Sequence, residues 1–171
     1  MTTDVQSTPA PARSHRVFIG DFCVAAAPDL LTIHGLGSCV GLLLHDPKAR
    51  ISALGHILLP EPPRPDAPGI PGRFASTAVP AMIEALGRSG GVAKRLVAKL
   101  VGAAQMFQFE KTVEPRRVGA RNLEATLAML EQFSIPVAGQ DTGGSYGRTV
   151  IVEAASGRMR VRAVRLEETI L

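Results

Sequence analysis

Tryptophan is absent from these 171 residues, tyrosine occurs once, and aromatic residues make up only 4% of the chain. A surface that stacks nucleic-acid bases needs aromatics interleaved with basic residues, and no basic helix is present either. A net charge of +4 and a pI near 9.6 therefore do not amount to nucleic-acid recognition; they point to an acidic partner. No apolar run approaches the roughly 18 residues of a membrane-spanning helix, so membrane insertion is not expected. Cysteine occurs twice, at Cys23 and Cys39, too few for a zinc-ligand pattern. Residues 1–14 lack the apolar core of an export signal. Their Thr, Ser, Pro and Ala predict a disordered tail over 1–15, followed by one domain over 16–171. Without an export signal the protein is expected in the cytoplasm, with both thiols reduced.

What the chain does have is 46% hydrophobic residues, enough for one ordinary core. Strands are expected at 17–27, 30–36, 40–44, 51–59, 96–101 and 135–138. A last hairpin is expected at 149–154 and 158–164, turning at Ser156 and Gly157. A helix is expected at 76–86, where Val79, Met82, Ile83 and Leu86 share a face. Another is expected at 122–133, with Leu123, Leu127 and Leu130 on one stripe. Pro80 suits the first helix only within its opening turn, where a missing N–H does little harm. The stretch 60–72 is too proline-rich for either element, and as a loop leaving strand 51–59 it either borders a site there or is a plain connector. Residues 106–117 read as irregular and 141–148 as a tight loop. Arg158, Arg160 and Arg162 alternate with apolar residues and so lie on one strand face, either solvated or used for docking. Hairpins without regular βαβ alternation predict an α+β fold, with helices covering one side of a mixed, mostly antiparallel sheet.

One constellation carries chemistry. The run Gly35-Leu36-Gly37-Ser38-Cys39-Val40-Gly41 delivers a thiol to the start of the strand at 40–44, and His56 sits in the apolar run that follows. Between them His45-Asp46-Pro47-Lys48 has turn composition. A hairpin centred between Pro47 and Lys48 sets Cys39 opposite His56. Directly opposed residues have Cβ atoms roughly 4.5–5.5 Å apart, close enough for an imidazole to take a thiol proton. That is a nucleophile with its general base. Each residue alone has a plainer reading, Cys39 as a small buried hydrophobe and His56 as a satisfied core residue. The glycines shift the balance: they weaken a strand unless backbone must come close to something. An oxyanion hole is such a place, with the amides of Gly37 and Ser38 as its donors. Cys23, inside an apolar strand, reads as core. A metal held by Cys39, His45 and His56 is disfavoured, because His45 lies by the turn and strands rise about 3.4 Å per residue.

These motifs resemble, in order and separation, those of the chemoreceptor glutamine deamidase family (CheD) of bacterial chemotaxis. The resemblance runs from Gly35-Leu36-Gly37-Ser38-Cys39-Val40 and Gly55-His56-Ile57-Leu58-Leu59-Pro60 through Arg73-Phe74-Ala75-Ser76-Thr77-Ala78-Val79-Pro80. It continues in Lys99-Leu100-Val101-Gly102-Ala103-Ala104-Gln105-Met106-Phe107, Val118-Gly119-Ala120-Arg121-Asn122, and Asp141-Thr142-Gly143-Gly144 with Gly147-Arg148. It implies hydrolysis of glutamine side-chain amides on methyl-accepting receptors through a cysteine thioester (a protein-glutamine glutaminase activity), and hydrolysis of receptor glutamyl methyl esters. It also implies a layered α/β/β sandwich like that of other cysteine hydrolases, no metal or organic cofactor, and a CheC-type phosphatase as a second partner. Cys39 matches the family nucleophile and His56 its base. The family's third catalytic member, a threonine six residues before the cysteine, is here Ile33, and Thr32 should point to the opposite face. Ala103 stands where the family usually carries glycine. The missing threonine leaves room for a rival reading, a non-catalytic adaptor that binds receptors and the phosphatase.

Overall fold

The strands β4 (Val40–Asp46) and β5 (Ile51–Ile57) are buried at every position, so the sheet that contains them must be covered on both sides. One face sends Val40, Leu42, Leu44, Ile51, Ala53 and Ile57 into a core shared with helices. The other sends Cys39, Leu43 and Leu54 into a second core shared with another sheet. A fully buried leucine or isoleucine contributes about 1.5–3 kcal/mol, so two faces of this kind hold the three layers together.

The structure, a computed structural model, describes residues 11–64, 69–106 and 118–171. The central sheet has the order β2-β5-β4-β6-β7, with β2 (Phe22–Ala26), β6 (Val97–Gly102) and β7 (Val137–Thr142); only β6 and β7 pair in parallel. The outer sheet has the order β1-β3-β8-β9-β10, with β1 (Ser14–Arg16), β3 (Leu30–Leu36), β8 (Arg148–Glu153), β9 (Met159–Ala163) and β10 (Thr169–Ile170). Among the described residues, β1 pairs with β3 in parallel and the other pairs of this sheet are antiparallel. Helices α1 (Ala75–Arg88) and α2 (Val118–Gln132) pack on the other face of the central sheet. The fold is α+β with two mixed, mostly antiparallel sheets.

Several expected boundaries move. The strand expected at 17–27 is interrupted: residues 17–21 form a turn, closed by Asp21 N–H donating to the Phe18 carbonyl at 3.1 Å. Ser14 and His15, assigned to the tail, pair with β3; residues 1–10 lie outside the described residues. Pro80 is the sixth residue of α1, in its second turn rather than its first, and the burial of Val79, Met82 and Leu86 on either side holds the helix there. Helix α2 already includes Val118–Arg121, ahead of the expected start at Asn122, and its Gly119 lies against the backbone of Ala103, where a Cβ would come within 2.6 Å of the carbonyl oxygen. Parallel pairing with β6 draws Asp141 and Thr142 out of the expected loop into β7. The irregular stretch expected at 106–117 lies, beyond Met106, outside the described residues, as do residues 65–68.

Candidate active site

The β4–β5 hairpin is set by Asp46. Its fully buried carboxylate accepts the amides of Lys48 and Ala49 at 3.0 Å and of Val92 at 2.9 Å, together with the Arg95 guanidinium at 2.7 Å. That guanidinium holds the carboxyl well below the usual carboxylate range. With Arg50 N–H bonded to the Asp46 carbonyl and Arg50 at φ 56°, the loop is Pro47 to Arg50 and centres after Lys48. The expected register is therefore corrected by two: Gly41, not Cys39, pairs with His56. A slip of two preserves the face, whereas a slip of one would have reversed it. Cys39, in the bend just before β4, and His56 are thus diagonal neighbours on the face turned toward the outer sheet, a relation that spans roughly 7–8 Å between backbones.

Both groups are buried, Cys39 at 7% and His56 at 2% exposure. Neither ring nitrogen of His56 has a hydrogen-bond partner, so thiol and imidazole are not bonded at rest. Burial pushes the Cys39 thiol up, opposed by its own backbone amide. Burial pushes the imidazole down, opposed by the carbonyl of Val17. Burial thus favours the neutral form of both the thiol and the imidazole.

Gly41 makes this corner possible. A Cβ there would sit 3.0 Å from Leu36 Cδ2 and 3.5 Å from Ile33 Cδ1, so the glycine lets the outer sheet close over the strand position opposite His56. Ile33 is fully buried and its side chain reaches this corner, bringing no polar group. Thr32 faces away, its hydroxyl 3.5 Å from the His15 carbonyl.

Three loops meet at the thiol. Ala104 and Ala103 amides donate to the carbonyls of Gly37 (3.0 Å) and Cys39 (2.8 Å). With its carbonyls so held, the loop has amides at Gly37, Ser38 and Cys39 that find no main-chain acceptor among the described residues. Gly102, at φ 102°, passes so close that a Cβ would lie 2.4 Å from the Cys39 carbonyl oxygen. Ala103, where the resemblance leads one to expect glycine, also has a positive φ of 54°. The third loop bonds in turn: Gly143 N–H to the Gly102 carbonyl and Gln105 N–H to the Gly144 carbonyl, both at 2.8 Å.

Arg148 holds that third loop. Its side chain is 1% exposed, donates to Asp141 (2.9 Å) and the Gly143 carbonyl (2.9 Å), and lies over the Tyr146 ring at 4.3 Å. Sequence placed Asp141 and Arg148 in one loop; nothing in it showed that Arg148 is buried beside the loop that carries Cys39, paired with Leu36. Asn122, also fully buried, donates to the carbonyl of Ile57 at 3.1 Å and so ties α2 to the strand beside His56.

The remaining candidates lie elsewhere. His45 is at the far end of the hairpin, its Nδ1 3.0 Å from the Ile51 carbonyl and 2.9 Å from Ser52 Oγ. Among the described residues no cluster of His, Cys, Asp and Glu could hold a metal ion. Cys23 is half-buried on β2, opposite Leu54. Arg158, Arg160 and Arg162 lie on the outer face of the outer sheet, and Arg162 pairs with Glu168.

The model of the family described as CheD chemotactic sensory transduction matches residues 58–163. A protein of Caldanaerobacter subterraneus subsp. tengcongensis named "Probable chemoreceptor glutamine deamidase CheD" is 39% identical over 149 residues, 87% of this chain and 92% of that one. A Geobacter sulfurreducens protein named "Probable chemoreceptor glutamine deamidase CheD 3" is 43% identical over 150 residues, 87% and 93% of the two chains. An aligned span of 149 among 171 residues leaves 22 outside it, so it includes positions 39 and 56. Among solved structures, the Bacillus licheniformis hypothetical protein YfiH aligns with a TM-score of 0.45 and 13% identity, over 74% of this chain and 58% of that one.

Proposed function

The chain belongs to the CheD family, and from that premise we propose that it hydrolyses glutamine side-chain amides to glutamate on methyl-accepting chemotaxis receptors, through a thioester on Cys39. The observation that carries this is the placement of Cys39 and His56 on one face of neighbouring segments, with both imidazole nitrogens free of other partners. His56 takes the thiol proton as sulfur attacks the carboxamide carbon. Amides at Gly37 and Ser38 hold the oxyanion, a contribution whose loss typically costs about 10²–10³ in rate. The C–N bond breaks as His56 returns its proton to the departing ammonia. Water then attacks the thioester, giving a proton to His56; the C–S bond breaks, and the thiolate recovers that proton. With methanol as leaving group the same steps hydrolyse glutamyl methyl esters. Burial, which disfavours charge on either partner, suits proton transfer concerted with attack rather than a standing ion pair.

This reading puts the protein in the cytoplasm as one domain over 16–171, with the sandwich of a cysteine hydrolase and no cofactor. No helix among the described residues is long and apolar enough to cross a membrane. The test is ammonia release from purified receptor. Cys39→Ala should abolish release while retaining the fold and receptor binding, and Cys23→Ala should keep activity; the reverse pattern would assign the wrong thiol. The isoleucine at position 33 favours a second reading, the adaptor that binds receptors and a CheC-type phosphatase. Receptor binding with no ammonia release by the unaltered protein would establish it.

A further inference from the structure

Arg148 begins and ends a closed circuit of contacts around Cys39. Its main chain pairs with Leu36, the residue before Gly37, where the β3–β8 register resumes after the irregularity that follows Ile33. Its guanidinium turns the other way, to the loop between β7 and β8. Nη2 donates to Asp141 Oδ1 at 2.9 Å and to the Tyr146 hydroxyl at 3.2 Å, and Nη1 donates to the Gly143 carbonyl at 2.9 Å. From that loop the circuit returns through residues 102–105. Gly143 N–H donates to the Gly102 carbonyl and Gln105 N–H to the Gly144 carbonyl, both at 2.8 Å. The amides of Ala103 and Ala104 then hold the carbonyls of Cys39 and Gly37. The guanidinium supplies the side-chain link; the links from Gly143 and Gly144 onward run between main chains.

That link acts on residues with little preference of their own. Gly143 and Gly144 have left-handed backbone, φ 83° and 71°, which glycine adopts as readily as many other conformations, so the pair alone does not fix the loop. A guanidinium 1% exposed is costly to bury unless its donors are met. Its planar fork, with Asp141 on one prong and Gly143 on the other, therefore selects one arrangement. The consequence reaches the amides through peptide geometry. The Gly37 carbonyl and the Ser38 N–H share one rigid plane, so holding the carbonyl through Ala104 aims the N–H. In the same way the Leu36 carbonyl shares its plane with the Gly37 N–H, and Leu36 is the residue that pairs with Arg148.

We propose that Arg148 is a positioning residue for the oxyanion-binding amides: by fixing the loop after β7 it fixes residues 102–105, and so aims the Ser38 and Gly37 N–H groups at the carbonyl oxygen under attack. This rests on the reading of Cys39 as nucleophile with those amides as donors. The guanidinium acts through the main chain and not on the thiol.

The test compares Arg148→Met and Arg148→Lys with the parent protein, all in a Cys23→Ser background and below their measured melting temperatures. Lysine keeps the charge beside Asp141 but lacks the fork that spans to Gly143, so it carries the test if the methionine variant does not fold. On purified receptor both should lower kcat about ten- to a hundredfold, the scale of displaced oxyanion donors, with KM unchanged. Alkylation of Cys39 by iodoacetamide develops no oxyanion and should keep the parent rate. Amide hydrogen exchange at Ala103 and Ala104 should accelerate, while the amides of β4 and β5 keep their protection. Parental kcat in Arg148→Lys would overturn the proposal, as would unchanged exchange at Ala103 and Ala104. Equal losses of kcat and alkylation would also overturn it, because they would show a general loss of the site. A parent protein that releases no ammonia would count against the deamidase reading and remove the oxyanion role with it; exchange needs no substrate and separately decides whether the guanidinium holds the loop.

Discussion

The protonation state of the resting pair can be read by titrating thiol reactivity with and without the base. Burial raises the Cys39 thiol above its ordinary 9.0, and burial lowers His56 below its ordinary 6.5. With a thiol pKa of at least that ordinary value, no more than about 3% is thiolate at pH 7.5. The rate of alkylation by iodoacetamide, which follows thiolate, should then climb about tenfold per pH unit through the neutral range. His56→Gln should leave this slope in place, because no ion pair is present to be lost, and should still abolish deamidation, because the base is gone. The measurement is made in a Cys23→Ser background, with the site of alkylation confirmed by mass spectrometry, since Cys23 is also partly accessible. A plateau of reactivity across the neutral range that vanishes in His56→Gln would refute the reasoning. It would show a standing thiolate–imidazolium pair, and the burial argument would have failed against a charge–charge attraction.

Other outcomes follow from the backbone around the thiol. Gly102→Ala combines a positive φ with a Cβ 2.4 Å from the Cys39 carbonyl oxygen, and should destabilise by about 2–5 kcal/mol in denaturant titrations. Gly87→Ala, on α1 with nothing within 4 Å of the added methyl, should instead stabilise by about 0.5–1 kcal/mol. Ala103→Gly relieves the left-handed alanine at φ 54° and should raise stability by up to about 1 kcal/mol, after the greater unfolded-state freedom of glycine is subtracted. His45 is lowered chiefly by burial, with its neutral ring bonded at the hairpin end. Below its unfolded value near 6.5 the unfolded chain binds the extra proton, so the stability present above that pH is lost as pH falls through the folded value. His45→Gln should show a smaller fall in melting temperature between about pH 7 and 5 than the parent protein.

Much of the corner could be read from sequence because the relevant pattern is local. Apolar runs at 30–36, 40–44 and 51–59 identify strands wherever they end up, and alternation with period two assigns each residue a face. Cys39 and His56 share a face in the register centred between Pro47 and Lys48 and equally in the observed one, displaced by two, so the juxtaposition survived an error in the turn. The displacement itself was beyond a local reading. It depends on Asp46 meeting Val92 and Arg95, 46 and 49 residues away, which set the loop that closes the hairpin. Likewise the break at 17–21 and the extension of β7 exist because of partners on distant strands, against which local propensity is a weak term. The burial of Arg148, the crossing of Gly102 over the Cys39 carbonyl and the turn whose Gly20 and Asp21 bond to the main chain of His56 belong to the same class. Sequence alone determined which side chains are candidates for the proposed chemistry and which face they occupy, because both follow from residue type and strand period. The tertiary structure decided how far apart they stand, how charged they are and what holds them, because distance, desolvation and backbone contacts arise only when separate elements pack.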